Sequence, residues 1–216
     1  MNASDPSPAP KARPRHFSMI REFRLADLIT LANGFAGFGS VLCVMQYLVS
    51  NDRRPLWTAF ALLPVALACD IADGRVARWQ KRVSILGQEL DSLADLVSFG
   101  VAPAVLGFAL GLRGTWDAVI LVYFVACGIS RLARYNATAA SLSDDTGKVR
   151  YFEGTPIPST LLIVAVMAWL THAGRIGANL PGGAWSLGPW TLHAFSLVFA
   201  ASGSAMISKT LHIPKP

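Results

Sequence analysis

Long apolar runs separated by short polar stretches constrain this chain more than any other feature. The runs cover residues 25–48, 56–69, 96–112, 116–130, 157–170 and 190–207. Hydrophobic residues make up 53% of the 216 and charged residues 15%, with a mean hydropathy of +0.44, outside the range of ordinary soluble domains. The pattern predicts an all-α polytopic membrane protein with six transmembrane helices. Several runs fall short of the roughly 20 residues that cross a bilayer, so helices two to five must recruit residues from their polar flanks. No charged segment followed by a short apolar core and a small-residue cleavage site opens the chain, so the first span is expected to direct insertion.

Charge sets the expected orientation. With the N-terminus inside, fifteen of the nineteen Lys and Arg residues fall on one side, leaving Arg53, Arg54, Arg113 and Arg175 on the other. The positive-inside rule reads this as both termini cytoplasmic. Trp57, Trp116, Trp185 and Trp190 gather at the opposite face, as an interfacial aromatic belt does. A pI near 9.6 could suggest nucleic acid, but the basic residues flank spans instead of forming one patch. Anionic headgroups are the expected neighbours, and no nucleic-acid partner is expected. Cys43, Cys69 and Cys127 have no metal-type spacing and are expected to be reduced packing residues.

Three regions divide the chain. Residues 1–14, rich in Pro, Ser and Ala, are expected to be a disordered tail. Residues 15–24 place Phe17, Ile20 and Phe23 among Arg15, Arg21 and Arg24, which predicts a juxtamembrane amphipathic helix lying along the interface. Residues 25–216 read as one helical bundle, with 137–156 as its longest connection. His16, His172, His193 and His212 are scattered without partner spacing and are assigned no chemistry.

Acidic residues stand where an apolar chain should avoid them. Asp70 and Asp73 are three apart at the end of the second run, and Gly87, Asp91 and Asp95 are four apart leading into the third. Residues three or four apart share a helix face, so two antiparallel polar stripes meet at the cytoplasmic end. Small residues Ala72, Gly74, Ala77, Gly87 and Ala94 permit close approach. Each acid near a span centre costs about 2.5–3.5 kcal/mol on insertion scales. They could pair with Arg75, Arg78, Lys81 and Arg82, but four at matched depth favour two divalent cations. Oxygen ligands without His or Cys favour Mg²⁺ or Mn²⁺, and two such ions about 4 Å apart are a common device for phosphoryl displacement.

These residues resemble a known signature. Asp70, Asp73-Gly74, Ala77-Arg78, Gly87, Asp91 and Asp95 match the CDP-alcohol phosphotransferase pattern at every position, an eight-residue coincidence expected on the order of once in 10¹⁰ windows. The resemblance implies a six-helix membrane enzyme, usually a homodimer, that displaces CMP from a CDP-linked lipid with an alcohol. It implies that Asp70, Asp73 and Asp91 bind the metals, with Asp95 as a further ligand or as general base. Gly74, Ala77, Arg78 and Gly87 would contact the CDP portion. Outside the motif, "LITLANGFAGFGSV", "DSLADLVSFGVAPA", "RLARYN" and "FEGTPIPS" are similar to the bacterial and archaeal branch that forms phosphatidylserine.

The expected reaction is therefore transfer of the phosphatidyl group of CDP-diacylglycerol to L-serine, in the inner (cytoplasmic) membrane, with the active site facing the cytoplasm. Arg131, Arg134, Asn136 and Glu153 are candidates for the acceptor pocket, and Thr30 and Asn33 either contact CDP or hydrogen-bond a neighbouring helix. Two alternatives stay open. One is the same chemistry with inositol phosphate, glycerol 3-phosphate or choline as acceptor. The other is an intramembrane cation-binding transporter, against which stands the clustering of the acids at one face.

Overall fold

The tripeptide Ser50-Asn51-Asp52 reverses the chain between the first two helices. Helix α1 (Leu25–Ser50) ends where Asn51 adopts a left-handed φ of 55° and donates its N–H to the Tyr47 carbonyl at 2.9 Å, a cap that Asn tolerates better than most residues. Asp52 then accepts the Arg54 N–H at 3.0 Å and caps α2 (Arg53–Trp79). Lower down, Ser40 donates to the Ala59 carbonyl at 3.0 Å and ties the antiparallel pair together. The computed structural model describes residues 25–79, 85–142, 151–208 and 212–214. The tail expected over 1–14 and the amphipathic helix expected over 15–24 lie outside the described residues.

Helix α3 (Ile85–Asp95) runs into a π-helical turn, Leu96–Val101, and on into α4 (Ala102–Ala109). Within the turn the Ala102 N–H reaches back five residues to the Val97 carbonyl. Pro103 has no N–H, so the Phe99 carbonyl loses its ordinary donor four residues on. The Thr160 hydroxyl replaces it, donating to Phe99 O at 2.8 Å in a buried setting.

Helix α5 (Thr115–Leu142) follows, then β1 (Tyr151–Glu153), a 3₁₀ turn (Ile157–Thr160) and α6 (Leu161–His172). A hairpin of β2 (Ala184–Leu187) and β3 (Trp190–His193) precedes α7 (Ser196–Ile207), and β4 (His212–Pro214) pairs antiparallel with β1. Asp117, at the third position of α5, reaches back to the Gly114 N–H at 2.8 Å, half of a capping box. The same fully buried carboxylate accepts the His193 N–H at 2.8 Å and meets His193 Nδ1 at 2.6 Å, pinning the hairpin to the start of α5.

Four helical stretches are long and apolar enough to cross a membrane: Leu25–Ser50, Arg53–Trp79, Leu86–Ala109 and Thr115–Ala137. Ile157–His172 and Ser196–Ile207 are apolar but shorter. At about 1.5 Å per residue, the 26 residues of α1 extend about 39 Å, beyond a hydrocarbon core of about 30 Å, whereas the 12 residues of α7 extend about 18 Å. Phe35, Val49, Val122 and Leu162 point outward and exposed, as lipid-facing side chains do. Inside, Phe124 and Phe199 stack edge to face at 5.2 Å where α5 and α7 run side by side.

The structure revises two boundaries. The sixth apolar run does not begin as helix at Trp190: its first residues form β3, and the helix starts at Ser196. Glycines 182, 183 and 188 take positive φ around the hairpin, and Asp117 holds its end, so local turn chemistry overrides hydropathy there. The connection expected over 137–156 is shorter, since α5 continues to Leu142 and β1 begins at Tyr151. By contrast, α2, the α3–α4 stretch and α5 all extend past their apolar runs into the polar flanks, as expected.

Candidate active site

The end of α2 and the start of the α3–α4 stretch lie at one end of the bundle, and there the carboxylates converge. Asp70, Asp91 and Asp95 each offer an oxygen, and the three oxygens lie within 4.8 Å of one another. Asp95 is buried and the other two half-buried. Asp91 Oδ1 is buried with no hydrogen-bond partner, so this carboxylate is not satisfied by the protein around it.

Asp73 stands beside this trio, within electrostatic reach of Asp70 and Asp91. One of its oxygens accepts the Thr30 hydroxyl at 2.6 Å. That hydroxyl also lies 3.1 Å from the Ala26 carbonyl, but the shorter contact has the length of a charge-assisted bond and takes the single proton. Asn33 treats Asp95 similarly, donating from Nδ2 to Oδ1 at 3.0 Å. Thr30 and Asn33, candidates for nucleotide contact, are thus both bonded to carboxylates of neighbouring helices.

Close approach makes these bonds possible. A Cβ on Gly37 would collide with Ser98 Oγ and meet its Cα at 2.7 Å, and one on Gly34 would touch the Ala94 Cβ at 3.5 Å. Only glycine at 37 lets α1 lie against the π turn. Ser98 then donates to the Asn33 carbonyl at 3.0 Å.

The remaining motif residues border the cluster. A Cβ on Gly74 would meet nothing within 4 Å, so the surface beside Asp73 is open. Ala77 is half-buried and Arg78 exposed toward the end of α2, and Gly87 is half-buried one turn before Asp91. On α5, Arg131 lies within electrostatic reach of Asp95, and its Nε is buried without a hydrogen-bond partner. Arg134 follows one turn later, half-buried. Asn136 is already engaged: it accepts the Ser92 hydroxyl at 3.2 Å and donates to Glu89 Oε2 at 3.3 Å, joining α5 to α3. Glu153 ends β1, paired with His212 of β4.

Sequence reasoning missed the partners of Thr30 and Asn33, the Ser92–Asn136–Glu89 link and the Asp117–His193 pair. The three-residue spacing of Thr30 and Asn33 in an apolar run was a visible signal. The Asp117–His193 pair lies at the opposite end of the bundle and serves the hairpin.

A membrane bundle whose carboxylates gather at one end defines a class, and comparison identifies it: the chain belongs to the CDP-alcohol phosphatidyltransferase family, whose family model matches residues 23–201. The protein is a transferase of phospholipid synthesis. It is similar to CDP-diacylglycerol–serine O-phosphatidyltransferase of Saccharomyces cerevisiae, 47% identical over 93% of this chain and 74% of the relative. The enzyme of the same name from Mycobacterium leprae is 34% identical over 83% of this chain and 57% of its own length. Archaetidylserine synthase of Methanothermobacter thermautotrophicus is 34% identical over 65% of this chain and 56% of that protein.

Proposed function

We propose that the protein transfers the phosphatidyl group of CDP-diacylglycerol to the hydroxyl of L-serine, giving phosphatidylserine and CMP. The observation that carries this reading is the pairing of an acid cluster with a guanidinium whose buried Nε has no partner, within reach of Asp95. Serine brings a hydroxyl that must lose a proton and a carboxylate that needs a cation. The names of the yeast and mycobacterial relatives support the same acceptor.

The donor set fits hard divalent cations: oxygens only, closely spaced, one of them buried and unpaired. Asp70, Asp91 and Asp95, with Asp73 beside them, would hold two ions, Mg²⁺ or Mn²⁺, which when bound supply charge neutralisation at the diphosphate. Asp95 takes the hydroxyl proton as the serine oxygen bonds to phosphorus. The bond from phosphorus to the CMP oxygen breaks, and CMP departs with its electron pair. Gly74 leaves room for the nucleotide's phosphates, with Ala77 and Gly87 alongside, and Arg78 forks onto phosphate oxygens. Arg131 receives the serine carboxylate, and Arg134 adds positive potential one turn away. The excess of Lys and Arg at this end supports a cytoplasmic active site, and the family resemblance supports a homodimer.

Purified protein in detergent, given CDP-diacylglycerol, Mn²⁺ and a panel of alcohols, tests the reading by CMP release. L-Serine is expected to drive release and to appear in the lipid product. Release driven only by glycerol 3-phosphate, inositol phosphate or choline overturns the serine assignment, and no release with any acceptor overturns the transferase mechanism. Asp95→Asn is expected to lower turnover by at least about 10²-fold, the contribution of a positioned base.

A further inference from the structure

We propose that Asn33 is a positioning residue for Asp95, holding one carboxylate oxygen so that the other faces the cluster and the acceptor hydroxyl. The proposal rests on the role given to Asp95 above and adds a residue of α1 to the machinery. Asn33 is fully buried, and its Nδ2 donates to Asp95 Oδ1 at 3.0 Å. An ionised carboxylate only accepts hydrogen bonds, so the amide must turn its nitrogen toward Asp95. That choice leaves Asn33 Oδ1 buried without a partner. A fold that merely needed polar glue here would not leave a buried acceptor bare, whereas one that needs a donor on Asp95 has to.

The surroundings fix the donor and leave the acceptor free to turn. The Asn33 carbonyl takes the Ser98 hydroxyl at 3.0 Å, and Gly37 lets the Ser98 backbone lie directly against α1. Asn33 is therefore held from its main chain, while the terminal torsion of an aspartate is intrinsically broad. The π turn begins at Leu96, immediately after Asp95, so the ordinary helical ladder does not continue beyond it. A hydrogen bond from a rigid neighbour supplies the orientation that the local backbone does not. Asp73 has the parallel arrangement, with Thr30 at 2.6 Å.

The test uses Asn33→Leu, which keeps size and removes the donor, and Asn33→Ala, which removes the donor without demanding space. Ser40→Ala, which deletes a buried α1–α2 hydrogen bond far from the cluster, is the control for packing. With the full-length protein, kcat, the KM for CDP-diacylglycerol, Mn²⁺ affinity by paramagnetic resonance and thermal unfolding are measured together. Loss of an outer partner of a metal-site ligand typically lowers affinity or activity by about 10–100-fold, and a kcat decrease of that size is expected in both Asn33 variants. Mn²⁺ binding weakens in parallel, the lipid KM stays within about twofold, and Ser40→Ala loses stability with kcat retained. A raised lipid KM with unchanged kcat makes Asn33 a nucleotide contact and overturns the proposal. An equal kcat loss in Ser40→Ala, or unchanged kcat and Mn²⁺ affinity in Asn33→Ala, overturns it as well. Ratios are taken to wild type with whichever acceptor the wild type uses, so failure of the serine assignment is seen separately in the wild-type enzyme.

Discussion

Single side chains decide the site, and each aspartate differs by what touches it. Asp73 has an oxygen held by Thr30, Asp95 one held by Asn33, and Asp91 one held by nothing among the described residues. Spacing alone identified all four acids, because residues three or four apart must share a helix face. It could not identify their partners, since a helical period specifies a face and not the neighbour that face meets. The Thr30 and Asn33 bonds span 43 and 62 residues of sequence. In the function proposed above, Arg131 is the residue that receives the acceptor carboxylate. Replacing it with Gln is expected to raise the KM for serine by about 10-fold or more, the loss of a charged hydrogen bond, while the KM for CDP-diacylglycerol is unchanged. Steady-state kinetics with each substrate varied in turn check this.

The element that departs most from a regular helix is the one carrying Asp91 and Asp95. Pro103 was visible in the sequence, but the π turn ahead of it was not, because an amphipathic reading assumes 3.6 residues per turn throughout. The Phe99 carbonyl released there is satisfied by Thr160, which arrives from the turn before α6. Thr160→Val keeps the shape and removes the donor. It is expected to lower stability by about 1–3 kcal/mol, the cost of a buried unpaired carbonyl, with Thr160→Ser close to wild type. Thermal unfolding in detergent measures both. The hairpin before α7 is hidden from a hydropathy reading for a related reason: Trp190 and Leu192 count as apolar in any window and mask the turn glycines 182, 183 and 188, and nothing local announces that Asp117, 76 residues earlier, will bind the strand.

At the scale of the whole molecule, the bundle separates its two ends by chemistry. One end holds the aspartates, Arg131 and Arg134; the other holds the β2–β3 hairpin, the Asp117–His193 pair and the Trp116–Trp190 contact at 5.1 Å. The sequence made this polarity readable, since fifteen of the nineteen lysines and arginines sort to one side and Trp57, Trp116, Trp185 and Trp190 to the other. Membrane-impermeant maleimide applied outside intact cells is expected to label Ser186→Cys on the hairpin and to leave Gln88→Cys on α3 unlabelled until the membrane is opened. The reverse result inverts the orientation. The carboxylate cluster has a consequence for folding as well as for turnover. Three carboxylates whose oxygens lie within 4.8 Å of one another repel when charged, so native packing at that end carries a load that a bound cation would relieve. Binding to the folded state alone raises stability by about 2.7 kcal/mol at a hundredfold excess over the dissociation constant. Mn²⁺ or Mg²⁺ is therefore expected to raise the melting temperature, chelation to lower it, and Asp91→Asn to blunt the response. A melting curve thereby ranks the two metals with no lipid present.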